Sequence, residues 1–127
     1  MAPRVDHFAF RVADLGAALH FYCDQLGLVK MSETVDQEHG EAFAYVELEG
    51  GNLELLETLD RPFRNPGLAE PFCPHLAVAV FDLDEKIAQL GSAGIEPIKG
   101  PLEIAGLVRW FYIADPDNNV IEFVQWL

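Results

Sequence analysis

The sequence predicts an α+β fold of two paired βαβββ modules with curved mixed sheets, and three observations carry that prediction. First, residue types recur at one constant spacing. The step from His7 to His75 also joins Glu54 to Glu122, Asp14-Leu15 to Asp82-Leu83, Val12 to Val80 and Phe43 to Phe111. These matches take in two His and two Glu inside strand-like runs, the mark of a duplicated unit of about 65 residues. Second, the run opening each unit alternates: His7, Ala9 and Arg11 share one face against Phe8, Phe10 and Val12, and His75, Ala77 and Ala79 share one against Leu76, Val78 and Val80. Third, each run is followed by a helical pattern opened by an Asp and closed by a Gly.

Taken in order, Asp6 to Val12 forms a strand whose Phe face suits packing against a helix and whose His/Ala/Arg face suits a cavity. Asp14 caps a helix with Leu15, Ala18, Leu19, Tyr22 and Leu26 on its stripe, and Gly27 ends it. A strand over Leu28 to Thr34 leads through a polar loop, Val35 to Gly40. Ala42 to Leu48 and Asn52 to Glu57 then make a hairpin turning at Gly50-Gly51. Five interruptions by Pro or Gly make Thr58 to Pro74 a linker. The pattern then repeats: a strand over Pro74 to Val80, and a helix capped by Asp82 with Leu83, Ile87 and Leu90 inward and Gly94 at its end. A short strand over Ile95 to Lys99 and a loop from Gly100 to Gly106 follow. Trp110 to Ala114 and Val120 to Val124 are apolar strands around the turn Asp115-Pro116-Asp117-Asn118-Asn119. The expected organisation is one domain over 1–127, with module one at about 4–58, a linker at about 59–73 and module two at about 74–127.

Composition narrows the function. A formal charge of −13 argues against nucleic acid and anionic membrane surfaces as partners, and leaves a small molecule. No run approaches the ~18 apolar residues of a membrane span, and the N-terminus lacks a signal-peptide pattern. Cys23 and Cys73 are too few for a disulfide framework, so a cytoplasmic setting is expected.

The chemistry sits in the repeated pairs. A carboxylate inside an apolar strand, as Glu122 is in Val120 to Val124, is costly unless paired, protonated or bound to a metal. Two imidazoles and two carboxylates, His7, Glu54, His75 and Glu122, make a candidate N₂O₂ site for one divalent ion such as Zn, Ni, Co, Mn or Fe. Arg11 shares a face with His7 and needs an anionic partner there, from the protein or from a substrate. His20 and His39 read as surface residues, Glu47, Glu49 and Glu57 as solvent-facing, and Cys23 as core. Cys73 lies two residues before His75 and is given no role.

Several stretches together resemble the vicinal oxygen chelate superfamily, which includes glyoxalase I, bleomycin-resistance proteins and extradiol dioxygenases. They are His7-Phe-Ala-Phe-Arg-Val12, Phe21-Tyr22, Leu26-Gly27, Leu53-Glu54-Leu55, His75-Leu-Ala-Val78, Asp115-Pro-Asp117 and Ile121-Glu122-Phe123. The resemblance covers essentially the whole chain and implies the glyoxalase-type fold of paired βαβββ modules enclosing a metal-binding cavity. By similarity to glyoxalase I, His7, Glu54, His75 and Glu122 are the expected metal ligands. Glu122 is then the expected base, Glu54 an assisting carboxylate and Arg11 the cation for an anionic part of the substrate. Tyr112 and Trp110 are expected to shape the pocket. The expected activity is a metal-dependent lyase or isomerase that removes a proton α to a carbonyl, in a homodimer. The alternatives are an extradiol-type dioxygenase, using His7, His75 and Glu122 with Tyr112, and a metal-free binding protein of the bleomycin-resistance type.

Overall fold

The computed structural model describes all 127 residues, Met1–Leu127. Contacts divide the chain into two compact units, Met1–Asn65 and Pro66–Leu127. Unit one contains β1 (His7–Arg11), α1 (Leu15–Leu19), β2 (Lys30–Asp36), β3 (Glu41–Val46) and β4 (Asn52–Thr58). Unit two contains β5 (Leu76–Ala79), α2 (Leu83–Ser92), β6 (Lys99–Ile104), β7 (Val108–Ala114) and β8 (Val120–Trp126). The strand orders are β1-β4-β3-β2 and β5-β8-β7-β6. The first pair of each sheet is parallel and the other pairs antiparallel, so each unit is an open mixed sheet with its helix in the first crossover. No helix is long and apolar enough to cross a membrane.

Alternation sorts the side chains as the sequence predicts. Phe10 and Val12 are buried while His7, Ala9 and Arg11 are exposed. Leu53 and Leu55 point into the core of unit one, and Phe111, Ile113 and Ile121 into that of unit two. Each such side chain contributes about 1.5–3 kcal/mol by leaving water.

Both helices begin on two caps. The Asp14 carboxylate accepts from the Ala17 amide (2.9 Å) and that of Asp82 from the Glu85 amide (3.1 Å). The second cap comes from the last strand of each sheet: Glu57 Oε1 accepts from the Leu15 amide (2.7 Å) and Gln125 Oε1 from the Leu83 amide (2.9 Å). Glu57 therefore does not simply face solvent. Its charge sits at a helix start, where the orphan N–H groups are.

Two elements differ from expectation. The first helix continues past α1 as a π-turn over His20–Gln25, with the Leu26 amide bonded to the Phe21 carbonyl (2.9 Å). The wider turn buries Phe21 alongside Tyr22, and Gly27, at φ 78°, closes it with the Leu28 amide on the Tyr22 carbonyl. The short strand expected over Ile95 to Lys99 is absent. Ile95 is instead a buried residue tied to the Leu90 carbonyl, and the strand runs through the segment expected to be a loop. Gly100-Pro101 reads as a breaker, but β6 is an edge strand with an irregularity between Lys99 and Leu102, where both residues are tolerated.

Candidate functional site

Each unit builds the same three-residue arrangement on the open face of its sheet. In unit one the parallel pairing sets Ala9 beside Glu54, and the hairpin sets Tyr45 opposite Glu54. His7, at the start of β1, turns Nε2 to within 3.5 Å of Glu54 Oε1. Tyr45 meets its ring edge-on, with centroids 5.5 Å apart at 89°. In unit two the corresponding register sets Ala77 and Tyr112 beside Glu122. His75 Nε2 lies 2.9 Å from Glu122 Oε1, and Tyr112 meets the His75 ring at 5.5 Å and 86°.

The other ring nitrogen is also held in both units. His7 Nδ1 bonds Asp6 Oδ2 at 2.7 Å, and His75 Nδ1 bonds the Phe72 carbonyl at 3.0 Å. A carbonyl only accepts, so Nδ1 of His75 carries the proton that donates to it. That leaves an Nε2 lone pair aimed at a carboxylate, two acceptors that repel unless a proton or a cation lies between them. An imidazole fixed through one nitrogen by an oxygen acceptor is how metal-binding histidines are oriented, and carboxylate oxygen and imidazole nitrogen suit a divalent ion. The donor set fits the ion that the resemblance implies. One pair offers two donors, however, and no three His, Cys, Asp or Glu side chains gather at one point of the chain. The structure thus brings His7 to Glu54 in unit one and His75 to Glu122 in unit two.

The hydrogen bond to Asp6, helped by the Glu54 charge, raises the His7 pKa above its ordinary value against a smaller desolvation effect. Burial, then the neighbouring Glu54 carboxylate, pushes the Tyr45 hydroxyl up.

Of the expected substrate-binding residues, Arg11 donates to Thr58 Oγ1 (2.7 Å) and the Pro62 carbonyl (3.0 Å), and lies 5.9 Å from the Phe63 ring centroid. Both oxygens are neutral. Trp110 and Tyr112 line a cavity of about 190 Å³ together with Phe72, Leu102, Lys99 and Glu70. His20 and His39 are exposed, as expected, each paired to a nearby Asp.

Sequence reasoning missed Tyr45, Asp6, Phe72 and Lys99. The constant spacing hid Tyr45, because the path from Tyr45 to Glu54 is one residue shorter than that from Tyr112 to Glu122. The same shift corrects the matching of Phe43 with Phe111. Phe111 is buried opposite Phe123, whereas half-buried Phe43 shares the open face with Tyr45 and so corresponds to Trp110. Phe72 carried no signal, since a bulky residue at φ 62° is uncommon and costs about 1–3 kcal/mol.

The profile of the Glyoxalase family, described as the glyoxalase/bleomycin resistance protein/dioxygenase superfamily, matches residues 4–123. The chain belongs to this superfamily. A virulence protein of Salmonella typhimurium is 29% identical over 98% of this chain and 85% of its own length. A bleomycin resistance protein of Geobacillus stearothermophilus is 25% identical, over 92% of each chain. A glyoxalase family protein from Enterococcus faecalis superposes with a TM-score of 0.78, covering 95% of this chain and 96% of its own at 24% identity, a likeness of fold. The superfamily holds enzymes and binding proteins alike, so the reaction has to be argued from the pairs themselves.

Proposed function

We propose that this superfamily member is a metal-dependent lyase or isomerase of the glyoxalase type, acting on a proton α to the carbonyl of a small substrate. The observation that carries the reading is the doubled His–Tyr–Glu arrangement, with each Nε2 turned to a carboxylate and each Nδ1 held by an oxygen. His7, Glu54, His75 and Glu122 are the ligands of one divalent ion, Zn, Ni, Co, Mn or Fe. When bound, the ion supplies stabilisation of negative charge on the substrate oxygen. Glu122 takes the α-proton and Glu54 assists. Tyr112 and Trp110 hold the substrate, and Arg11 meets its anionic part. Each pair has two donors, so one ion takes both kinds of pair, in a homodimer. The matching of Glu54 to His7 speaks against the three-ligand dioxygenase alternative.

Elemental analysis of untagged protein prepared without chelator tests the ligand set. About one metal per chain, lost in His75→Ala, is expected for a four-donor site. Mixing then tests its assembly. A chain carrying His7→Ala and Glu54→Gln, mixed in equal amount with one carrying His75→Ala and Glu122→Gln, regains about a quarter of the metal if sites form across copies, since half of the dimers are mixed and each of those has one intact site of two. It regains none if they form within one chain. The second reading is a metal-free binding protein of the bleomycin-resistance type, favoured by the direct 2.9 Å contact of His75 with Glu122, which a shared proton also satisfies. Protein that takes up none of the five ions establishes that reading instead.

A further inference from the structure

The cavity beside the second pair has the dimensions and the walls of a ring-binding subsite. Its volume is about 190 Å³. A dry cavity of about 150 Å³ takes up benzene, whereas drug-sized ligands fill roughly 300–1,000 Å³, so this space suits one six-membered ring with a small substituent. Phe72, Trp110 and Tyr112 supply aromatic walls, and the Phe72 and Tyr112 rings already meet at 5.1 Å and 56°. Leu102 adds an apolar side.

One cation reaches this apolar space. Lys99 stands opposite Tyr112 across the β6–β7 pairing, and its ammonium lies 2.7 Å from Glu70 Oε1. Both members of that ion pair are well exposed, so it contributes little and exchanges readily for another anion. The backbone that carries Lys99 is fixed by its neighbour. Gly100 sits at φ 101°, and a Cβ there would meet the Trp110 carbonyl and the Phe111 Cα and Cβ at 3.0 Å. Only glycine lets β6 approach β7 this closely, which holds Lys99 over the aromatic walls. Phe72 ties the cavity to the repeated arrangement, because its carbonyl orients His75 while its ring packs on Tyr112, the cross-strand neighbour of Glu122.

We propose that this cavity binds the ring of a monocyclic aromatic anion, with the ring among Phe72, Trp110 and Tyr112 and the acid group on Lys99 in place of Glu70. This names the substrate class for the function proposed above and rests on that reading for its catalytic meaning. The binding itself is tested without metal or turnover. Trp110 is the reporter in a Trp126→Phe background, and chelator-treated protein is titrated with benzoate and, separately, with its neutral counterpart benzamide. Saturable quenching by benzoate, tighter than by benzamide, is the expected result. Lys99→Met is expected to weaken benzoate by about tenfold while leaving benzamide unchanged, the size of a lost charge-assisted contact. Glu70→Gln is expected to tighten benzoate by a few-fold, since it removes the competing carboxylate, and a general loss of structure cannot produce a gain. An absence of saturable quenching, or equal affinity for the acid and the amide, overturns the proposal. Benzoate binding to a chain that takes up no metal keeps this proposal and removes the metal-dependent one. Metal uptake without benzoate binding does the reverse.

Discussion

The two units carry the same three side chains in the same mutual arrangement and differ in what stands behind them. In unit one the imidazole is backed by Asp6, a charged carboxylate whose side chain is 92% exposed, and His7 is itself 36% exposed with its Nε2 3.5 Å from Glu54. In unit two a neutral backbone carbonyl takes the place of Asp6, the side chains are 19% and 16% exposed, and the contact closes to 2.9 Å. The strand opposite also changes. Ser32 faces Tyr45 where Lys99 faces Tyr112, and Thr34 faces Phe43 where Leu102 faces Trp110. The first imidazole is thus backed by a charge and more open to solvent, although Glu54 at 12% is as covered as Glu122, and the second is held by backbone and flanked by an aromatic cavity. For the proposed reaction, this difference would give the proton transfer to unit two and leave unit one chiefly to complete the ion's donor set.

The sharpest way to break this comparison is to remove each carboxylate charge in turn. Glu122→Gln is expected to lower turnover by about 10²–10⁴-fold, the scale of a lost general base, with metal still bound. Glu54→Gln is expected to cost about 10–100-fold, through a weakened ligand, with part of the loss recovered at saturating metal. Solvent deuterium incorporation into hemithioacetals and other α-hydroxycarbonyl compounds reads both, and equal losses would mean that the two units act alike.

A smaller effect tests the backbone that fixes Lys99. Gly100→Ala puts a Cβ against the backbone of β7 at a positive φ and is expected to destabilise by about 3 kcal/mol. Gly27→Ala has the same sign of φ but nothing within 4 Å, and is expected to cost about 1 kcal/mol. Urea denaturation separates the two, and similar midpoints would mean that β6 and β7 move apart at little cost.

The smallest effect concerns the two backing groups. His7 has a folded pKa raised above 6.5, chiefly by Asp6. The associated stability is therefore fully present below 6.5 and is lost as pH rises through the folded value. In chelator-treated protein, Asp6→Asn is expected to lower the His7 midpoint. Histidine ring NMR follows it, and an unmoved His7 would show that Asp6 is only a neighbour.

Most of this fold is legible in the sequence because strand alternation and Asp/Gly helix punctuation are local. Phe10 and Val12 turn inward, and Asp14 and Asp82 cap, for reasons contained in a few residues. The His and Glu of each pair are legible because they repeat. What is not legible depends on register. Tyr45 is found only by knowing which residue faces Glu54 across the hairpin, and Lys99 only by knowing that β6 continues through Gly100-Pro101. Glu57 reads as a solvated carboxylate until its strand is placed beside the start of α1. The π-turn that buries Phe21 is likewise invisible to a pattern that assumes a constant helical pitch.

Phe72 joins two functions in one strained residue. Its ring walls the cavity and its carbonyl sets the His75 imidazole, and both hang from a backbone already held in the left-handed region. An occupant that moved the ring together with its backbone would shift the carbonyl, and occupancy of the cavity would then be thermodynamically linked to any cation affinity of His75. Such linkage is reciprocal: whatever factor a ring occupant imposed on cation affinity, the cation would impose on ring affinity.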